Sequence, residues 1–197
     1  MKTASLCLML PACLVALQPV NAAPAAAGSR HSPPMPVGKL VFTSIAGLTS
    51  SGIDGQAARY YSPHSSLSLM AVCLPSAPGK GPKSSSPREI AKMVNSATAS
   101  VFEQRNGTIL FNHIQSAMLG TLPAVQSTLR VQIRKQYILI QDITFSYQGK
   151  VYALSMEAIT HAGKKSVPAL YTALFRQLQQ QAAAQTKTPG RKMQPGR

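Results

Sequence analysis

The sequence predicts an α+β domain in which an antiparallel sheet is flanked by helices, as an α/β/α sandwich. Two segments have the periodicity of amphipathic helices, and four segments between them have the pattern of strands. Consecutive strands without intervening helices favour an antiparallel sheet over a parallel one. The short segment Gln148-Gly149 joins the last two predicted strands in the manner of a hairpin turn.

The first predicted helix spans residues 87–104. Ser86 and Glu89 form a capping box with a proline in the first turn, so that each side chain bonds the backbone amide of the other residue. Apolar residues then recur on one helical face. Asn106-Gly107 is expected to end the helix, because both residues tolerate the left-handed closing conformation.

The second predicted helix begins near Ser166. Leu170, Leu174 and Leu178 recur on one face of it, at the spacing of successive turns. The helix is expected to end within the glutamine-rich residues 177–181, where the apolar stripe stops.

Strands are predicted where apolar residues alternate with polar ones or form short runs. The alternation is regular from residue 129 to residue 134, so that its apolar members should face the core and Arg130 and Arg134 should face solvent. Residues 137–140 are apolar on both faces, which is typical of a strand covered on both sides. The predicted strands are residues 66–74, 108–114, 129–134, 137–147 and 150–159.

Residues 1–22 have the features of a secretory signal peptide. Lys2 precedes an apolar stretch, and Val20-Asn21-Ala22 supplies the small residues that a signal peptidase requires. Cleavage after Ala22 would leave a periplasmic or secreted protein. Lipid anchoring through Cys13 is the alternative, because the residues around it resemble a lipoprotein processing box.

The remaining chain is expected to divide into three parts. Residues 23–37 are proline-rich and aperiodic, which predicts a disordered linker, and residues 38–182 form a single α+β domain. Residues 183–197 are expected to be a disordered basic tail, and residues 75–87 a long mobile loop. Removing residues 23–37 and 184–197 is expected to change the free energy of unfolding by under about 1 kcal/mol.

Charge is the most unusual property of the composition. Twenty Lys and Arg residues stand against five Asp and Glu residues, which gives a formal net charge of +15. Such an excess attracts polyanions such as nucleic acids, lipid headgroups, acidic envelope polymers and acidic protein surfaces. Nucleic acid is not an expected partner, because the chain carries an export signal and does not interleave aromatic residues with its cations. No segment after the signal has the length of a transmembrane helix.

The basic residues are therefore the predicted binding residues, for an anionic protein or envelope component. Arg130 and Arg134 are expected side by side on a strand face, with Lys135 next to them. Arg88 and Lys92 are expected on one face of the first helix. The complete set of predicted binding residues is Arg130, Arg134, Lys135, Lys80, Lys83, Arg88 and Lys92.

No catalytic residue and no cofactor are predicted. Asp142 and Glu157 could face one another across the last hairpin, but like charges there are costly unless they are bridged, so a structural role is expected for each acid. Cys73 lies in an apolar run and is expected to be a buried, unreactive thiol. The sequence has no phosphate-binding loop and no nucleophile elbow.

Two other functions remain open from the sequence. The first is a small hydrolase or metal-dependent enzyme that uses His64, His113 or His161, although these residues do not have the spacing of zinc ligands. The second is an immunity or inhibitor protein that covers an enzyme.

The layout from Tyr60-Tyr61-Ser62-Pro63 to Leu178 resembles the Mog1/PsbP-like fold, which includes exported bacterial proteins similar to DcrB. The capped helix at 87–104, the hairpin of residues 137–159 and the closing helix carry the resemblance. It implies an antiparallel sheet between helices, and a non-catalytic adapter or accessory role at a larger complex.

Overall fold

The computed structural model describes residues 33–62, 66–74, 86–161 and 168–187. These residues form nine strands and two helices. The elements are β1 (Met35–Val37), β2 (Leu40–Phe42), β3 (Thr49–Ile53), β4 (Ala57–Tyr61), β5 (Leu67–Leu74), α1 (Pro87–Gln104), β6 (Thr108–Leu119), β7 (Leu122–Ile133), β8 (Gln136–Tyr147), β9 (Lys150–His161) and α2 (Ala169–Thr186).

Seven strands form one antiparallel sheet in the order β3-β4-β5-β9-β8-β7-β6, and β1 pairs with β2 in a separate hairpin. The two helices pack on opposite faces of the large sheet. Ile140 and Ile143 are three residues apart on β8 and therefore point to opposite faces. Ile140 packs in a cluster with Phe102 of α1, and Ile143 packs in a cluster with Leu178 of α2. The predicted α+β class, an antiparallel sheet flanked by helices, is confirmed.

The predicted start and end of α1 are both confirmed. The Ser86 Oγ accepts a hydrogen bond from the Glu89 amide at 3.3 Å, and the Glu89 Oε2 accepts one from the Ser86 amide at 2.8 Å. Asn106 has a φ of 59° directly after the helix. Gly107 then donates its amide to the Phe102 carbonyl at 2.8 Å, so the chain turns straight from α1 into β6.

Helix α2 continues to Thr186, past the predicted end within residues 177–181 and past the predicted domain boundary at residue 182. The glutamines that interrupt the apolar stripe bond the backbone of β2 and the residue that follows it. The Gln185 side chain accepts from the Val41 amide at 2.8 Å and donates to the Val41 carbonyl at 2.6 Å. The Gln181 side chain bonds the Thr43 amide at 2.9 Å and the Thr43 carbonyl at 3.4 Å. These four contacts are called the glutamine ladder below.

The N-terminal boundary also differs from the prediction. Met35 and Val37, which the sequence assigned to a linker, are 4% and 0% exposed and belong to the core beneath α2. A three-residue strand that contains a proline has no recognisable period, so its burial depends on contacts made elsewhere in the chain. Residues 35–37 and 184–186 are therefore part of the fold, so removing residues 23–37 and 184–197 should cost more than the expected ~1 kcal/mol. The signal peptide, the rest of the linker, the basic tail from residue 188 and most of the predicted loop lie outside the described residues.

Strands β6 and β7 are longer than predicted, because a tight turn at residues 120–121 joins them into one hairpin. The sequence also missed the β3–β4 hairpin. Leu129 and Val131 are buried and Arg130 is exposed, as predicted. The predicted position of Arg134 on this strand is wrong, because β7 ends at Ile133 and Arg134 lies in the β7–β8 turn with a φ of 54°.

Neither described helix has the length and apolar character needed to cross a bilayer.

Candidate functional site

Helix α2 packs on one face of the sheet and covers only one end of that face. Near the β6–β7 turn the helix is close, since a Cβ placed on Gly120 would lie 3.2 Å from the Ala183 Cβ. At the opposite end of these strands, Phe111 and Arg130 are exposed. The exposed residues Phe111, His113, Gln115 and Arg130 on β6 and β7 are called the open face below.

The strand register places these residues on the side of α2. Ala117 of β6 pairs with Ala124 of β7, which packs in the same core cluster as α2. Alternate residues of a strand share a face, so His113 and Gln115 lie on the same side as Ala117. Phe111 pairs with Arg130 and follows the same alternation, because the irregularity in the register comes before it.

Three side chains of the open face contact one another. The Arg130 guanidinium carbon lies 5.8 Å from the centroid of the Phe111 ring, which is a cation–π distance. The Phe111 and His113 rings are 5.9 Å apart at an interplanar angle of 40°. Arg130 thus lies over an aromatic ring, and among the described residues no other group is hydrogen-bonded to its guanidinium, which suits carboxylate or phosphate groups. The arrangement provides a cation beside exposed apolar surface.

A cleft continues from the open face towards α2. Its volume is about 260 Å³, and its polar lining includes Gln126, Gln141, Thr172, Arg176 and Gln179. At its mouth the Gln115 side chain donates to the Gln126 side chain at 3.4 Å. Arg130 lies four residues along β7 from Gln126, a distance of about 13 Å. The open face and the cleft therefore form one continuous surface with an exposed arginine at each end.

All five acidic residues of the chain lie away from this surface. Asp54 is in the β3–β4 turn, and Glu89 and Glu103 are on α1, across the sheet. Asp142 and Glu157 point towards the α1 side of the sheet, because Asp142 alternates with Ile140 and Glu157 pairs with Ile140. The positive charges of the open face and cleft thus have no acidic side chain beside them to neutralise them.

The structure brings three of the seven predicted binding residues to one end of the sheet. Arg130 lies on β7, and the exposed residues Arg134 and Lys135 form the turn that follows. The Gln132 side chain donates to the Arg134 carbonyl at 3.3 Å and so fixes the start of this turn.

The other four predicted residues are elsewhere or outside the described part of the chain. Arg88 and Lys92 are exposed in the first turns of α1, whereas the last turns of that helix pack near the β7–β8 hairpin. The two ends of α1 are about 26 Å apart, so Arg88 and Lys92 form a separate basic group. Lys80 and Lys83 lie outside the described residues.

Asp142 and Glu157 lie on one face of the sheet, as the sequence suggested, but they are not directly opposite each other. Asp142 pairs with Ser155, two residues along the strands from the pair of Glu157 with Ile140. The Ser127 hydroxyl donates to Asp142 at 3.2 Å, and the Ser155 hydroxyl donates to its other oxygen. Asp142 is 7% exposed. It is thus a buried carboxyl group held by two hydroxyl groups, which agrees with a structural role.

The surroundings raise the pKa of both carboxyl groups. Burial raises the pKa of Asp142, and the hydrogen bonds from Ser155 and Ser127 oppose the shift. Burial also raises the pKa of Glu157, while the charges of Arg59 and Arg105 lower it. One oxygen of Glu157 is buried and has no hydrogen-bond partner among the described residues.

We expect the fold to lose stability through these two groups as the pH rises from about 4, near their usual pKa values, to neutrality. Their pKa values in the folded protein lie above the usual 3.8 and 4.5, so the folded state keeps protons that the unfolded state has released. Stability therefore falls as the pH rises through the raised pKa values. The free energy of unfolding, measured in urea across this range, should depend less on pH for Asp142→Asn/Glu157→Gln than for the wild type. Equal slopes would contradict the expectation.

The histidines proposed for an enzyme are not brought together where the structure describes them. His113 is on β6 and His161 ends β9, with β7 and β8 between them, and His64 lies outside the described residues. Within the described ranges, no three His, Cys, Asp or Glu residues are placed to hold a metal ion. Cys73 is buried, as predicted, and its sulfur lies 2.7 Å from the place a Cβ on Gly38 would take.

Sequence reasoning missed Phe111 and Arg176 of this surface, and it named His113 only as a residue of a possible enzyme. Phe111 and His113 lie on a predicted strand, and Arg176 on a predicted helix, but nothing local places them beside Arg130 or the cleft. One available signal was the absence of charged residues throughout residues 108–119, which is unusual in so basic a chain.

Comparisons with known proteins reveal similarity of fold only. No family model matches the sequence, and no curated protein matches it. The Ran-binding protein Mog1p of Saccharomyces cerevisiae has a similar structure, with a TM-score of 0.43, 12% identity and coverage of 72% of this chain and 86% of that one. The cyanobacterial PsbP (CyanoP) of Synechocystis sp. PCC 6803 has a TM-score of 0.47, 9% identity and coverage of 84% and 96%. The predicted resemblance to the Mog1/PsbP-like fold is confirmed as a similarity in the arrangement of strands and helices, from which no function follows.

Proposed function

We propose that the protein is an exported, non-catalytic adapter whose open face and cleft bind an anionic protein or envelope component. The main support is the separation of charge: Arg130 and Arg176 lie on a surface that carries none of the five acidic residues. Export is supported by the signal features of residues 1–22.

The open face is suited to recognition more than to a general attraction of anions. Arg130 is held over Phe111, so less side-chain freedom is lost when its guanidinium binds a carboxylate. Glutamine and threonine side chains between the two arginines offer hydrogen bonds that do not depend on charge. Each exposed ion pair contributes only about 0.2–1 kcal/mol, so several contacts must act together.

The test measures binding to immobilised poly-L-glutamate, at about 50 and about 300 mM salt. Arg130→Glu/Arg176→Glu is expected to weaken binding by about tenfold or more at low salt, because both ends of the surface then repel the ligand. Higher salt is expected to weaken binding of the wild type, since exposed charges are screened.

The matched control is Arg88→Glu/Lys92→Glu, which changes the net charge by the same amount on α1, on the other side of the sheet. It should weaken binding by no more than about threefold, through long-range attraction alone. If both double variants lose the same affinity, the protein responds only to net charge and the open face is not the binding site.

A further inference from the structure

Strand β6 is the last strand of the large sheet, and no described strand pairs with its outer edge. It is twelve residues long, and its register with β7 is regular from Phe111 to Leu119. An edge of this length presents a row of free amide and carbonyl groups to which another chain can bind.

From Phe111 to Leu119, the edge of β6 lacks the features that usually block such pairing. Charged residues and proline are the common guards of an edge strand, and the sequence from Thr108 to Leu119 contains neither. The opposite edge, β3, has only five residues, and the glutamine ladder occupies the backbone of β2. Three large apolar side chains are exposed along β6: Leu110, Phe111 and Met118.

Two kinds of chain could pair with this edge: a second copy of the protein or an acidic segment of a partner. Charge distinguishes between them. A second copy would bring together two chains that each carry a formal charge of +15. Bringing two such positively charged chains together is unfavourable, because like net charges repel. An acidic chain would instead be attracted to Arg130, and it would find no acidic residue on the open face.

We infer that the anionic partner binds as an extended acidic segment that adds an eighth strand along the outer edge of β6. This inference rests on the proposed function and specifies the form of its partner. Main-chain hydrogen bonds to β6 supply affinity, and side chains on alternate residues supply specificity. Carboxylates two residues apart lie on one face of the added strand, on the same side as His113 and Arg130.

The experiment compares two defined ligands of the same charge sign. The first is an acetylated and amidated decapeptide of alternating valine and glutamate, which can form a strand. The second is poly-D,L-glutamate of random chirality, which carries carboxylates but cannot continue a sheet. Affinity is measured by fluorescence anisotropy, and amide hydrogen exchange is followed by NMR at residues 110–119 of the full chain.

Strand addition predicts that the decapeptide binds more tightly than poly-D,L-glutamate at equal carboxylate concentration. It also predicts that every second amide between residues 112 and 118 exchanges at least about tenfold more slowly, because only alternate amides point outward. Phe111→Ala is expected to weaken binding of the decapeptide by about two- to fivefold, because one cross-strand side-chain contact is lost. Leu170→Ala, which shortens an exposed apolar side chain on α2, is the control and should have no effect.

The other outcomes separate this inference from the proposed function. Equal binding of both ligands without protection of β6 overturns strand addition but leaves an anion-binding open face. Binding of neither ligand overturns both proposals. Protection of alternate β6 amides that increases with protein concentration, without peptide, shows that a second copy occupies the edge and overturns the acidic segment.

Discussion

Ending the chain after Gln180 is expected to lower the midpoint of thermal unfolding by about 6–12 °C. The truncation removes the glutamine ladder, in which two side chains make four hydrogen bonds to the backbone of Val41 and Thr43. It also removes Ala182, which is fully buried in the core beneath α2, and the Gln185 carbonyl that accepts from the Tyr147 hydroxyl. Together these losses amount to about 3 kcal/mol, because each exposed hydrogen bond contributes modestly and the end of the helix loses its packing.

Ending the chain after Lys187 is the control, since it keeps every contact of α2 that the structure describes. It removes residues whose sequence has no apolar periodicity, and the midpoint should change little. Gln181→Ala/Gln185→Ala in the full chain gives the share of the loss that comes from the ladder alone. If the chain ending at Gln180 and the chain ending at Lys187 melt together, the ladder does not stabilise the fold.

Ser127→Ala/Ser155→Ala is expected to reduce the free energy of unfolding by about 3 kcal/mol or more near neutral pH. The two hydroxyl groups are the hydrogen-bond donors to the buried Asp142 carboxylate. Removing both leaves a charge without partners inside the protein, and hydrogen bonds to charged groups are worth about 1.5–3 kcal/mol each. Urea unfolding at about pH 7.5 measures the loss.

Two comparisons identify the buried charge as the cause. In an Asp142→Asn background the same serine substitutions should reduce the free energy of unfolding much less, because the side chain at position 142 no longer carries a charge. At lower pH the loss should also shrink, because the raised pKa of Asp142 lets the carboxyl group take up a proton above its usual range. Ser116→Ala, an exposed serine on β6, is the control and should change stability by under about 0.5 kcal/mol. A loss that is the same in the aspartate and asparagine backgrounds would assign the effect to packing.

The features that the sequence predicted well are those determined by neighbouring residues. The capping box of α1 needs only Ser86 and Glu89, three residues apart, and both of its hydrogen bonds are present. Likewise, the burial of Leu129 and Val131 and the exposure of Arg130 follow from alternation along one strand. The antiparallel sheet followed from the succession of strands without helices between them.

The features that the sequence did not predict depend on distant residues. The end of α2 was placed too early because Gln185 finds its partner 144 residues away in the chain. Met35 and Val37 were assigned to a linker because their burial depends on packing beneath α2. In the candidate site, Phe111 meets Arg130 only through the register of the β6–β7 hairpin, and Arg176 reaches the cleft from the last helix.

The glutamine ladder also has a consequence for the order in which the protein is made. The residues that it joins are 138 and 144 positions apart, so the first described hairpin is synthesised long before the helix that holds it. Closing such a long loop is entropically costly and slow compared with local contacts. The fold therefore cannot be completed until Gln181 and Gln185 have left the ribosome. If the protein is exported, as proposed above, this delay would favour passage through a translocation channel before the folded domain can form.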